Sequence, residues 1–170
     1  MTTDISKLFE ILRGGAIKRY HTLEIIGEQS VGAHSWGVAL ILQYLDPNVR
    51  KACVFKALTH DIAELYTGDI PAPVKWEEPE LLQVLKSIEE RWEKQLGIDA
   101  YGKSMSSEEK ILFKQADMFE LLFFCMRQRR LGNTNMNTVF SNGVEFLAEQ
   151  DLNDRGLQLL GRLMKEYGGI

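Results

Sequence analysis

Apolar residues recur every three to four positions along almost the whole chain, and the two-residue alternation of a half-buried strand is nearly absent. That period points to one fold class, an all-α helical bundle. Local punctuation sets the expected elements. A first helix begins near Asp4, with Thr3 or Asp4 as its N-cap, and Gly14 and Gly15 stop it. Residues 16–31 carry no period. The stretch VGAHSWGVALILQYLDPN predicts a helix ended by Asp46-Pro47, because a residue before proline is pushed out of the α region. A third helix, over about 49–65, buries Val54, Phe55, Leu58, Ile62 and Leu65, and YTGDIPAPVKW follows as a loop. A charged helix, about 77–96, is a bundle face or a subunit contact. Ser106 and Glu109 offer a capping box that opens the most apolar helix, KILFKQADMFELLFFCMRQRRLG, which ends at Gly132. Two further helices are expected at about 137–149 and 153–167.

At 170 residues and 45% hydrophobic, the chain reads as one domain, 1–170, able to bury a core. A net charge of −4 argues against a general binder of nucleic-acid polymer or anionic membrane. No apolar stretch approaches the roughly 20 residues a membrane-spanning helix needs, and MTTDISKLFEILRGG does not read as a signal peptide. Cys53 and Cys125 sit in apolar helical contexts and read as buried reduced thiols, which favours a cytoplasmic location. Trp36 and Trp76 are assigned to packing, and RQRR to a solvated cap at the negative end of its helix.

Two of the three histidines, His34 and His60, fall in apolar helices, and Asp61 adjoins His60. About 100° separates neighbours on a helix, so His60 and Asp61 can share an ion only at the helix edge, toward a partner that His34 can supply. Asp117 is a carboxylate in the most apolar helix; unpaired, it would cost several kcal/mol, so something must compensate it. Two imidazoles and two carboxylates suit Mn, Fe, Co, Ni or Zn better than Ca or Mg.

The order His34, His60-Asp61, Asp117 resembles the signature of HD-domain metal-dependent phosphohydrolases. HDIAELYTGDIPAPVK is similar to the HD-x-x-E and TGD-x-P-x-P-V-K run of the 5'-deoxynucleotidase branch, and short phage enzymes that hydrolyse dATP to deoxyadenosine and triphosphate share the layout. KRYHT and EEKILFKQAD resemble the segments that lead to the first metal histidine and the last metal aspartate. The resemblance implies an HD-domain bundle, a divalent transition metal on those four residues, with Mg on a polyphosphate as a possible addition, and a homo-oligomer. It implies that Arg19 orients the phosphate. In the phage enzymes Lys75 and Lys114 would contact the polyphosphate, and Thr22 and Pro73 would belong to the base pocket. Glu64 lies four residues after His60 and three after Asp61, on the same helix side; its expected role is general acid or base. Asp69 resembles an aspartate that contacts the sugar, with Ile70 and Pro71 beside the nucleoside and Thr67 and Gly68 shaping the turn. Tyr20 stands where tryptophan is frequent: it can obstruct a 2'-hydroxyl or hydrogen-bond to one, so the 2'-deoxy preference stays open.

Three readings follow. The first is a 5'-deoxynucleotide hydrolase attacking the α-phosphorus, either a dATP-type triphosphohydrolase, the favoured version, or a 5'-deoxynucleotidase acting on dNMP. The second is a non-catalytic nucleotide-sensing helical module. The third is hydrolysis of alarmone or cyclic-dinucleotide signals.

Overall fold

Hydrophobic periodicity becomes helix throughout. In the computed structural model, which describes residues 5–169, the elements are α1 Ile5–Gly14, α2 Val31–Leu45, α3 Lys51–Thr59, α4 Glu64–Thr67, α5 Ala72–Glu77, α6 Pro79–Leu96, α7 Asp99–Lys103, α8 Ser107–Arg130, α9 Asn137–Ala148 and α10 Asp154–Gly168. Among the described residues there is no strand beyond an isolated bridge between Lys18 and Ser30. The expected caps at Thr3 and Asp4 lie outside the described residues.

The long elements start and stop for identifiable reasons. At the head of α2 the Ser30 hydroxyl accepts the Ala33 N–H, and α2 ends at Leu45, one residue before the extended Asp46. The capping box of Ser106 and Glu109 opens α8. At its far end Gly132 takes φ +88°, where Asn133 N–H reaches Gln128 O and Gly132 N–H reaches Arg129 O, both at 2.9 Å. That bond pair is a Schellman stop, which needs a residue tolerant of left-handed backbone.

The main core joins α2, α3, α8, α9 and α10 around the fully buried Leu42, Phe119, Leu122, Met136 and Leu147. A smaller cluster of Val31, Ile62, Leu96 and Ile98 roots α1 and α6 against this bundle. Cys53 and Cys125 are buried and free, and burial pushes their thiols up to about 11 and about 12. No described helix is long and apolar enough to cross a membrane.

Residues 16–30 have no helix, yet they are tied down. Gln128 clasps Ile26 with both ends of its amide, accepting Ile26 N–H at 2.8 Å and donating to Ile26 O at 3.0 Å. Asn133 donates to Glu24 O at 2.9 Å.

Several expectations need correction. The third helix stops at Thr59 instead of running to 65, and Phe55 and Leu58 are 38% and 40% exposed, with Cys53, Ala57 and Thr59 facing inward. YTGDIPAPVKW contains the short α5, and α7 was not anticipated. Trp36 and Trp76 are 63% and 67% exposed rather than packed. Within RQRR, Gln128 is buried and Arg129 lies over the Tyr167 ring, so only Arg127 and Arg130 fit a solvated cap.

Candidate metal centre

The break after α3 sets the geometry. The Thr59 hydroxyl donates to Phe55 O, and from Thr59 onward the backbone bonds run i to i+3: Ile62 to Thr59, Glu64 to Asp61, Leu65 to Ile62 and Tyr66 to Ala63. At three residues per turn the side chains at i and i+3 eclipse, which puts Asp61 and Glu64 on one line. In a continuous 3.6-residue helix the pair would share a face but stand about 60° apart.

Both histidines carry a proton on Nδ1, which leaves Nε2 to face the cluster. His60 Nδ1 lies 2.8 Å from Ala57 O, an acceptor only, so Nδ1 carries the proton and Nε2 is free. His34 Nδ1 lies 2.5 Å from Glu120 Oε2. His34 is 1% exposed, and its Nε2 meets no partner with hydrogen-bond geometry. That nitrogen sits 3.2 Å from Asp117 Oδ1 and 3.6 Å from Asp61 Oδ2, while His60 Nε2 sits 3.3 Å from the same Asp61 oxygen. The ligating atoms of His34, His60 and Asp117 all lie within 4.8 Å of one another. A buried, unpartnered imidazole nitrogen facing a second free Nε2 and two carboxylates is a set of lone pairs without enough donors, and a divalent cation fits it.

The charges are strongly coupled. Burial opposes ionisation of Asp61, but His60, Arg19 and His34 outweigh it and hold the carboxyl below its ordinary value. For Asp117 burial is likewise outweighed, by His34 and Lys114, and the group is held well below the usual carboxylate range. Burial disfavours charge on His34, yet Asp117 and Glu120 raise it to about 9, so in the metal-free protein Nε2 holds a proton toward Asp117 that a bound cation would displace. The Asp117 charge is therefore compensated in part by Lys114, whose Nζ lies 2.9 Å from Oδ2.

Arg19 donates from Nη1 to Asp61 Oδ2 at 2.7 Å, and its Nε is buried without a partner. Glu64 is buried, with Oε2 unpartnered and Oε1 4.0 Å from Lys75 Nζ. Burial first, then Asp61 and Asp69, push its carboxyl up to about 8 against the pull of Arg19 and Lys75. Asp69 Oδ2 accepts the Tyr20 N–H at 3.1 Å. Tyr20 has φ +56°, an outlier for a bulky residue that costs on the order of 1 kcal/mol or more. Asp69 and a parallel stack on Phe124, centroids 4.5 Å apart, hold it there. Ile70 and Pro71 are half-buried beside this turn, whereas Thr22 and Pro73 are exposed. Glu120 and Gln29 escaped the sequence reading. Glu120 was detectable as a second carboxylate three residues after Asp117 in the same apolar run; Gln29 gave no signal.

A profile of the YfbR-like family, described as 5'-deoxynucleotidase YfbR-like, matches residues 8–156. The dATP triphosphohydrolase of Cyanophage S-2L is 33% identical over 131 residues, 73% of this chain and 72% of that protein. A 5'-deoxynucleotidase of Photorhabdus laumondii is 25% identical, over 89% of this chain and 85% of its own length. Among solved structures, the Cyanophage S-2L HD phosphohydrolase bound to dA and one catalytic Zn2+ ion aligns with TM-score 0.69 and 22% identity, covering 95% of this chain and 96% of that one. An HD-domain phosphohydrolase of Listeria innocua aligns with TM-score 0.71 and 26% identity, covering 95% and 86%.

Proposed function

From the premise that the chain belongs to the YfbR-like 5'-deoxynucleotidase family of HD-domain phosphohydrolases, we propose a single-domain enzyme, 1–170, that hydrolyses 5'-deoxynucleotides at the α-phosphorus. The observation that carries the reading is the buried, unpartnered His34 Nε2 facing His60 Nε2, Asp61 and Asp117. These four would hold a divalent transition metal, zinc among the candidates with Mn, Co, Fe and Ni, and bound there it would supply Lewis acidity and a more acidic water.

The protein's own groups do the rest. Arg19 is oriented by Asp61 and keeps a free Nε–H for a phosphoryl oxygen, where negative charge gathers in the transition state. Lys75 stands beside Glu64 and adds positive charge at the phosphate end, as does Lys114, paired with Asp117. Glu64, kept protonated at neutral pH, donates to the leaving 5'-oxygen. The water oxygen bonds the α-phosphorus and its proton passes to a product phosphate oxygen or solvent. The P–O5' bond breaks, and the 5'-oxygen leaves as a hydroxyl carrying the Glu64 proton, which the carboxylate regains from solvent. Asp69 keeps one oxygen free for a sugar hydroxyl, and the stacked Tyr20 ring walls the sugar. Ile70 and Pro71 approach the nucleoside, with Thr22 and Pro73 further out toward the base.

The 33% identity to the phage enzyme favours dATP as substrate, with deoxyadenosine and triphosphate as products and Mg on the polyphosphate. The family profile over 8–156 supports the second reading, dNMP to deoxynucleoside and phosphate. Incubation with dATP or dAMP under Co2+, followed by anion-exchange separation, is expected to give triphosphate from dATP. Phosphate from dAMP with dATP untouched would overturn the choice.

We also propose self-association and a cytoplasmic location. Trp36, Leu40 and Tyr44 are exposed at i, i+4 and i+8 of α2, an apolar stripe that a second copy would cover. Trp36→Glu is expected to shift the protein to monomer in light scattering with the fold intact; an unchanged mass would remove α2 from the interface.

A further inference from the structure

We infer that Glu120 is a positioning residue that fixes the metal-facing tautomer of His34 and ties that ligand to the Arg19 segment; the inference rests on the metal site proposed above. Glu120 is 7% exposed on α8, one turn beyond Asp117. Its two oxygens are separately engaged: Oε2 lies 2.5 Å from His34 Nδ1, and Oε1 accepts from Gln29 Nε2 at 2.7 Å. A carboxylate facing Nδ1 keeps the proton on that nitrogen, which leaves Nε2 its lone pair and makes it a stronger donor to a cation.

Gln29 extends the link. Its side chain donates to Glu120 while its backbone carbonyl accepts the Arg19 N–H at 2.9 Å. One buried carboxylate thus registers a candidate metal ligand on α2 against the segment that presents the candidate phosphate arginine. The packing makes room for it. A Cβ on Gly37, one turn along α2 from His34, would come within 2.8 Å of Glu120 Cγ. Real Cβ contacts are never that close, so any larger residue there must displace the carboxylate.

The test titrates Co2+ into the metal-free protein and follows its visible d–d absorption. Glu120→Gln is nearly isosteric and keeps an acceptor for Nδ1 but loses the charge. It is expected to weaken Co2+ binding about 10- to 100-fold and to shift the band, with circular dichroism unchanged. Gly37→Ala is the second variant: it removes no side chain of the network but its Cβ pushes Glu120 aside, with the gain in helix propensity offsetting part of the crowding. With circular dichroism unchanged, it too is expected to weaken binding by at least fivefold. If folded Glu120→Gln binds Co2+ within fivefold of wild type, the role of Glu120 is overturned. If Glu120→Gln does not fold, Gly37→Ala decides by the same limit. Wild-type protein that takes up no Co2+ would overturn the metal site itself, a failure distinct from loss confined to the variants.

Discussion

Glu64→Gln is expected to lower kcat by about two to four orders of magnitude while the protein binds as much metal as before. The substitution preserves volume and one acceptor but removes the titratable proton. Burial, helped by Asp61 and Asp69, lifts the Glu64 carboxyl to about 8 despite Arg19 and Lys75. A group raised that far is protonated across the neutral range and loses its proton as pH rises through about 8, so an acid role gives a rate that falls above that pH. Steady-state kinetics from pH 6 to 10 with metal analysis check both parts. The descending limb should be present in the wild type and missing from the residual activity of Glu64→Gln. A variant within tenfold of wild type, or one that keeps the limb, would remove Glu64 from proton transfer.

Metal removal is the other large effect. Dialysis against EDTA is expected to abolish hydrolysis, and Co2+, Mn2+ or Zn2+ to restore it; Asp117→Asn should need far more metal to reach any activity. The metal-free cluster crowds Asp61 and Asp117 against a buried His34 Nε2 that has no partner, so the folded state gains from the ion directly. At 100 times its Kd, an ion that binds only the native chain stabilises it by about 2.7 kcal/mol. For a chain of this size that is a rise in Tm of roughly 5–11 °C, readable by scanning calorimetry. Activity that survives EDTA with an unmoved Tm would refute the proposed centre.

The helical class was legible because it depends on hydrophobic period, which Leu42, Phe119 and Leu122 express directly in the main core. Both ends of α8 were legible because a capping box and a glycine stop are local chemistry. The break after Thr59 was not, since a change from i+4 to i+3 bonding leaves no mark in a pattern of apolar residues. The candidate ligands could be picked out by residue type, but their convergence depends on how α2, the end of α3 and α8 meet. The exposure of Trp36 was hidden as well: period alone does not say which of two apolar stripes on a helix faces the core.

The clasp of Gln128 on Ile26 and the bond from Asn133 to Glu24 change how the end of the chain is valued. Everything after Asp117 could be cut away without removing a candidate ligand, yet the cut would take with it the anchorage of the irregular stretch that carries Arg19 and Tyr20. The tail of the bundle therefore works like the fixed jaw of a vice: it grips no substrate itself, and the moving parts are only as well aligned as it is rigid.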